Sequence, residues 1–108
     1  MISDKKILSL LSISAKAGAV VSGGFMTERS IQDNSACLVI VSKDASDNTR
    51  KKFENKSLYY KIPFKIFSDA DTLGRQIGKQ ARTSIAITDP GLAKQIMKQF
   101  DMSLDMEV

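Results

Sequence analysis

The chain has 108 residues, of which 43% are hydrophobic and 26% are charged, and this composition is that of one globular domain rather than of a disordered or membrane protein. It has no histidine and a single cysteine, Cys37, which excludes an intrachain disulfide and argues against a metal site and against Ser-His or Cys-His catalysis. The net charge of +4 favours a polyanionic partner, although a basic surface that serves only solubility accounts for it equally well.

The lone cysteine and the apolar runs also bear on location. Cys37 favours a reducing, cytoplasmic environment, and we expect its thiol to be buried and inert. No apolar run approaches the roughly 20 residues that a bilayer span requires. We therefore expect a cytoplasmic protein without a membrane partner.

The first third of the chain is predicted to form two helices and two strands. Apolar residues recur at three- and four-residue spacing over residues 7–15, which indicates an amphipathic helix. A short extended piece then reaches Ser22-Gly23-Gly24, and a second helix is expected from about 25 to 32. The continuous apolar run ACLVIVS, at 36–42, is typical of a central strand that is covered on both faces.

The middle of the chain is predicted to add a helix and a short strand. Ser46 or Asn48 can cap a third helix that ends near Leu58. Its basic run Arg50-Lys51-Lys52 is interpreted as a solvent-exposed face. Pro63 precedes FKIF, and proline in a strand is tolerated at the start or at a sheet edge.

The last third completes an alternating pattern. A small fourth helix begins at Asp69 or Asp71, TSIAIT forms another buried strand, and an amphipathic helix starts at Asp89-Pro90. This alternation predicts an α/β fold, a three-layer α/β/α sandwich with a small mixed sheet of about four strands. We expect a single domain over residues 1–100, followed by a frayed acidic tail at residues 101–108.

The segment from Gly18 to Gly23 has the glycine spacing of a phosphate-binding loop. That loop requires a lysine and a hydroxyl residue after its second glycine, because these groups bind the terminal phosphates and magnesium. Gly24 and Phe25 stand at those two places. Nucleotide hydrolysis is therefore rejected, and we predict a protein with no enzymatic activity, no cofactor and no metal.

The same stretch has a second interpretation. Ser22-Gly23-Gly24 opens a helix whose first amides are unpaired, and glycines allow a phosphodiester backbone to approach them closely. Arg29, one turn later, adds a positive charge, and Phe25 or Met26 could lie against a base or a sugar. The alternative is that the glycine pair only turns the chain and that Phe25 packs inward.

A second basic loop, Gly78-Lys79-Gln80-Ala81-Arg82, precedes the last strand. In an α/β sandwich such loops and helix N-termini can gather at one end of the sheet. If the two loops are neighbours, Arg29, Lys79 and Arg82 form one surface that suits the backbone of a folded RNA.

Three segments resemble, in order and spacing, the bacterial YlxQ-like members of the kink-turn RNA-binding ribosomal protein superfamily. They are AKAGAVVSGGFMTERSI, LVIVSKDASDNTRKKFENKSLYYKIPF and DTLGRQIGKQARTSIAITDPGLAKQI. The likeness covers residues 4–100, and its most specific elements are D-A-S-x-N-T at Asp44–Thr49 and L-G-x-x-I-G-K at Leu73–Lys79.

The resemblance implies a compact α/β/α sandwich that binds RNA without catalysis, at a kink-turn with its tandem sheared G·A pairs. In the family the N-terminus of the second helix reads the G·A pairs, and a basic residue one turn further on contacts phosphate. The corresponding residues here are Gly23, Gly24, Phe25 and Met26, with Arg29 at the basic position.

In the same family the loop before the last strand covers the bulged nucleotides of the RNA. The corresponding residues here are Lys79, Gln80, Ala81 and Arg82. Asp44, which follows the first long strand, is expected at the same end of the molecule. The resemblance thus extends the predicted RNA-binding set to both loops.

One departure from the family pattern concerns the residues that read bases. Archaeal and eukaryotic members carry a Gly-x-Asn-Glu element whose amide and carboxylate bond to guanine edges. Phe25 and Met26 occupy those two places and can form neither bond. Backbone amides and Arg29 remain to hold a kinked phosphate backbone.

The sequence therefore leaves two functional hypotheses. The first is a non-enzymatic, ribosome-associated RNA-binding protein, monomeric when free, whose partners are a kink-turn or similar structured RNA and ribosomal proteins. The alternative is a protein-interaction module on the same scaffold, in which Phe25 and Met26 form an apolar contact patch and RNA affinity is nonspecific.

Overall fold

Helices and strands alternate in the computed structural model, which describes the backbone of residues 2–107 and the side chains of residues 4–102. In chain order the elements are α1 (Ile2–Lys16), β1 (Val20–Ser22), α2 (Gly24–Gln32), β2 (Leu38–Val41), α3 (Asp47–Tyr59), β3 (Phe64–Ile66), α4 (Ala70–Gln76), β4 (Ser84–Ile87) and α5 (Pro90–Glu107). Each of them matches an element that the sequence predicts.

The strands form one mixed sheet of four strands in the order β1-β4-β2-β3. Strand β4 is antiparallel to both of its neighbours, with Ala86 opposite Val21 on one side and opposite Val39 on the other. Strands β2 and β3 are parallel. The last strand of the chain therefore lies between the first two, and the predicted small mixed sheet is confirmed.

One face of the sheet is covered by α1, α4 and α5. Because side chains alternate between the faces of a strand, Leu38 and Ile40 of β2 point to the same side as Ile85 and Ile87 of β4. The helices add to this cluster Ile7, Leu11, Leu73, Ala93 and Ile96, and Ile77, the C-cap residue of α4, joins them. Each fully buried leucine or isoleucine of this cluster stabilises the fold by about 1.5–3 kcal/mol.

The opposite face of the sheet is covered by α2 and α3. Val39 and Val41 of β2 and Ala86 of β4 pack there against Ile31 of α2 and Phe53 of α3. Both strands are thus buried on both faces, as their continuous apolar runs predict. The two clusters on either side of one sheet confirm the three-layer α/β/α architecture.

Side chains cap three of the helices and decide between predicted alternatives. Ser46, and not Asn48, caps α3 by accepting the Thr49 N–H at 3.2 Å. Asp69 caps α4 through the Thr72 N–H at 2.8 Å. Asp89 accepts the Leu92 N–H at 2.8 Å, which places Pro90 in the first turn of α5, where a missing N–H has no cost.

The structure differs from the sequence prediction at Cys37 and extends α5 beyond residue 100. The Cys37 thiol is partly exposed rather than buried, because it lies just before β2 near the molecular surface, with its sulfur 3.7 Å from the Ser35 carbonyl oxygen. Helix α5 extends to Glu107, so that residues 101–107 continue this helix; the fraying expected for residues 101–108 stays a prediction.

Within residues 2–107, no helix combines the length and the apolar character needed to cross a membrane.

Candidate nucleic-acid interface

Both sequence-predicted loops lie at one end of the sheet. Since β4 runs opposite to β1 and β2, its first residue adjoins the last residues of those strands. The Gly23 N–H donates to the Ser84 carbonyl at 2.9 Å, and the Ser42 N–H donates to the Thr83 carbonyl at 2.9 Å. The start of α2 and the loop before β4 are therefore neighbours, as the predicted site requires.

The N-terminus of α2 presents unpaired backbone amides. Its N-cap is Gly23, which has φ 87° and no side chain to accept a hydrogen bond. The first intrahelical bond at this end runs from the Thr27 N–H to the Gly23 carbonyl at 3.0 Å. Among the residues that the structure describes, none accepts from the N–H groups of Gly24, Phe25 and Met26. These three amides and the positive end of the helix dipole together favour an anion.

Phe25 and Met26 point away from the core. Phe25 is 74% exposed and Met26 is 44% exposed, whereas Thr27, Ser30 and Ile31 form the buried side of α2. The alternative in which Phe25 packs inward is therefore wrong. An aromatic ring and a thioether chain instead flank the free amides.

Two salt bridges hold α2 against α3. Glu28 binds the Lys52 ammonium at 2.8 Å and the Lys56 ammonium at 3.2 Å. Hydrogen bonds from Lys52 and then Lys56 hold the pKa of the Glu28 carboxyl below its ordinary value. Arg29, the next residue, stays exposed on the free side of α2. The charge of Arg29 thus faces solvent one turn from the amides, whereas Lys52 and Lys56 pair with Glu28 between α2 and α3.

Arg82 joins the two loops. Its Nε donates to the Ser22 Oγ at 3.1 Å, and its Nη1 donates to the Ala81 carbonyl at 3.1 Å. A longer contact of 3.4 Å reaches the Gln80 carbonyl. The half-buried guanidinium therefore fixes the end of β1 against the loop before β4.

The loop before β4 is also held by α4. The Lys79 N–H donates to the Gly74 carbonyl at 2.8 Å, and the Arg82 N–H donates to the Ala70 carbonyl at 3.0 Å. Gly74 is buried, and a Cβ at this position would collide with the carbonyl group of Gln80. The loop thus rests directly on the α4 backbone, and Lys79, Gln80 and Ala81 are left exposed to solvent.

Asp44 has a definite partner at the same end. Its Oδ1 accepts the N–H of Ala70, the first residue of α4, at 3.1 Å. The adjacent Lys43 N–H donates to the Ser68 carbonyl at 2.8 Å. Asp44 therefore connects the loop after β2 to the start of α4, and the structure gives it a positioning contact.

Gly74 and Ser22 are two positioning residues that the predicted RNA-binding set does not include. Gly74 lies inside the L-G-x-x-I-G-K element, so a signal for it was present in the motif. Ser22 is the single hydroxyl residue at the end of the apolar piece AVVS. Its link to Arg82 follows only from the antiparallel pairing of β1 with β4.

Comparison with known proteins places this geometry in a family. The model of the Ribosomal protein L7Ae/L30e/S12e/Gadd45 family matches residues 5–97. The RNA-binding protein YlxQ of Bacillus subtilis (strain 168) is 41% identical over 92 residues, which are 85% of this chain and 92% of that protein. The protein of the same name from Enterococcus faecium is 38% identical over 92 residues, covering 84% and 87% of the two chains.

Solved structures agree with the fold. A protein of unknown function from Bacillus halodurans C superposes with a TM-score of 0.86 at 35% identity, covering 89% of this chain and 97% of that one. The Giardia lamblia 15.5kD RNA binding protein superposes with a TM-score of 0.80 at 17% identity over 94% and 90% of the two chains, a likeness of fold. The chain thus belongs to the Ribosomal protein L7Ae/L30e/S12e/Gadd45 family.

Proposed function

We propose that the protein is a non-enzymatic RNA-binding protein that holds a kink-turn or similar structured RNA between the N-terminus of α2 and the loop before β4. Two relatives at 41% and 38% identity carry the name RNA-binding protein. The proposal includes residence in the cytoplasm, association with the ribosome through ribosomal RNA and ribosomal proteins, and a monomeric state when free.

One observation carries the proposal: three free amides and a second loop share one end of the sheet. The amides of Gly24, Phe25 and Met26 suit an anionic or acceptor group of the RNA, and Arg29 lies one turn beyond them. Lys79 projects from the other loop. A sharply bent RNA backbone offers phosphates to both loops at once, whereas a straight duplex offers them along one line.

The side chains at the start of α2 suggest how the bases are contacted. Phe25 cannot form hydrogen bonds through its side chain, and its exposed ring is suited to stack on an unpaired or splayed base. Met26 adds a flexible apolar contact beside it. In this proposal the backbone amides form the hydrogen bonds to the RNA, and the side chains supply stacking and packing.

Titration of the protein against a labelled kink-turn RNA and against a straight duplex of equal length tests the proposal. We expect the kink-turn to bind at least about tenfold more tightly, a difference of about 1.4 kcal/mol. The titrations are repeated at several salt concentrations, because the part of the affinity due to phosphate contacts falls as salt rises. Equal affinity for both RNAs at every salt concentration would contradict specific recognition.

The exposure of Phe25 also supports the second candidate, a protein-interaction module. A ring that is 74% exposed beside Met26 provides an apolar contact for another protein. The variant Phe25→Ala separates the two candidates. It weakens kink-turn binding if the ring stacks on a base. If the ring contacts a protein partner instead, the variant keeps the wild-type, nonspecific affinity for RNA.

A further inference from the structure

A groove runs between α1 and α5, on the layer that faces away from α2 and α3. Its cavity volume is about 730 Å³, and both helices contribute to its walls. Lys5, Lys6, Leu10 and Ile13 line it from α1, and Lys98 and Met102 line it from α5. We call this feature the α1–α5 groove.

Three apolar side chains line the α1–α5 groove. Ile13 is 52% exposed and Met102 is 40% exposed, and the partly buried Leu10 lies between the two helices. These three side chains give the groove an apolar strip. Covering such a strip removes apolar surface from water and so favours association.

Positively charged side chains also line the α1–α5 groove. Lys5, Lys6 and Lys98 share its walls with the uncharged polar residues Ser9, Gln95 and Gln99. None of the three lysines pairs with a carboxylate among the side chains of residues 4–102. Apolar side chains beside unpaired lysines are the complement of a helix that carries an apolar stripe and acidic flanks. We propose that the α1–α5 groove binds a partner protein through an acidic amphipathic helix.

Other occupants fit the α1–α5 groove less well. A second copy of the chain in a symmetric dimer would bring the same lysines face to face, and like charges in an interface repel. RNA would satisfy the lysines but would cover Ile13 and Met102 with polar backbone, and no aromatic side chain lines the groove among the described residues. The acidic helix satisfies both the charge and the apolar strip.

The position of the groove has a consequence for the proposed RNA complex. Helices α1 and α5 cover one face of the sheet, and α2 covers the other. A helix bound in the α1–α5 groove therefore leaves the start of α2 open. The protein would bind RNA and an acidic partner at the same time.

The test uses a synthetic amphipathic peptide with leucine at positions i, i+3, i+4 and i+7 and glutamate on both flanks. A second peptide with every glutamate replaced by lysine is its control. We expect the acidic peptide to bind the full chain at least about tenfold more tightly than the basic one in fluorescence anisotropy. Equal binding of both, or no binding of the acidic peptide at about 1 mM, would overturn the proposal.

Matched variants locate the peptide. Ile13→Asp and Lys98→Glu should each weaken its binding about tenfold. Leu58→Asp and Lys51→Glu introduce the same charges at exposed positions of α3 and should leave the affinity within about twofold of wild type. Circular dichroism establishes that all four variants are folded. An equal loss in the α3 variants would show nonspecific attraction and overturn the assignment.

Competition distinguishes a peptide groove from a second RNA surface. We expect saturating kink-turn RNA to leave peptide binding unchanged, and Ile13→Asp to leave RNA binding unchanged. If the RNA displaces the peptide, or if Ile13→Asp weakens the RNA, the α1–α5 groove holds RNA instead and the proposal is wrong.

Discussion

Arg82 donates its Nε–H to the Ser22 Oγ at 3.1 Å and so connects residues that are 60 positions apart in the chain. The bond joins the two loops of the proposed RNA site. The bond is charge-assisted but only half-buried, and solvent keeps its net contribution at about 0.5–1.5 kcal/mol. This side-chain pair thus adds to the backbone bond from Gly23 to Ser84 in setting the relative position of the loops.

Removing the hydroxyl of this pair should loosen the site without removing a charge. We expect Ser22→Ala to weaken kink-turn binding about threefold to tenfold, because a net hydrogen bond contributes about 0.5–1.5 kcal/mol. Arg82→Ala should weaken it more, since it also removes a cation and two bonds to carbonyl groups. Fluorescence anisotropy at fixed salt measures both. If Ser22→Ala binds like wild type, Arg82 acts only through its own contact with RNA.

Arg29 and Lys79 should each contribute a phosphate contact. Arg29→Ala and Lys79→Ala are expected to weaken RNA binding and to reduce the slope of log affinity against log salt by about 1 each. Lys51→Ala is the matched control, because Lys51 is an exposed cation of α3. The result that contradicts the assignment is a larger loss for Lys51→Ala than for the other two.

Gly23 should be the most sensitive glycine at the start of α2. Its φ of 87° and ψ of 158° lie where side chains are strongly disfavoured. We expect Gly23→Val to lower the free energy of unfolding by about 1–3 kcal/mol and to abolish RNA binding. Urea denaturation followed by circular dichroism measures the first effect.

Gly24→Ala is the control for this glycine. A Cβ at Gly24 meets no atom within 4 Å, and its φ is not in the left-handed region. The variant should therefore fold at least as stably as wild type, since alanine favours a helix over glycine by about 1 kcal/mol. Weaker RNA binding by a fully folded Gly24→Ala protein would show that ligand approaches this backbone closely; unchanged binding would contradict that approach.

Gly74→Ala tests whether α4 sets the position of the loop before β4. The added methyl group would collide with the Gln80 carbonyl, so α4 and the loop must separate. We expect a loss of about 1–3 kcal/mol in unfolding free energy, as for other overpacked sites, and a loss of RNA affinity. Lys79 and Arg82 amide signals in NMR spectra should shift most. A protein with wild-type stability would show that the loop does not rest on α4 in solution.

The acid dependence of stability should report the ion pairs of Glu28. Lys52 and Lys56 hold the pKa of this carboxyl below its ordinary value of 4.5. A lowered folded pKa stabilises the fold at pH values above the ordinary value, and this stabilisation is lost as pH falls through the lowered value.

Glu28→Gln should therefore reduce the free energy of unfolding at neutral pH by less than about 1 kcal/mol, because the pair is partly exposed. In strong acid the variant and wild type should be equally stable. Urea unfolding across the acid range measures the difference. A difference that persists when Glu28 is protonated would assign the effect to packing rather than to charge.

Much of the fold follows from local signals in the sequence. Asp69 and Ser46 are capping residues at helix starts, and each accepts an N–H three residues later, as such residues commonly do. The apolar runs before and within β2 and β4 predict strands buried on both faces. These features depend on neighbours in the chain, and the sequence therefore predicts them well.

The strand order could not be predicted in the same way. Whether β1 pairs with β2 or with β4 depends on contacts between distant segments. The same limit applies to the site, because the Arg82–Ser22 bond and the contact of Gly74 with Gln80 both follow from that order. The exposure of Phe25 was equally open, since phenylalanine is more often buried than exposed.

Because β4 lies between β1 and β2, the sheet cannot form completely until β4 has left the ribosome. When the ribosome has released the chain only as far as α3, β1 and β2 have both emerged, but the strand that separates them has not emerged. Their facing edges have no partner until residues 84–87 arrive. The nascent chain therefore completes its sheet late, and the surface proposed for RNA assembles only when the C-terminal quarter of the domain has folded.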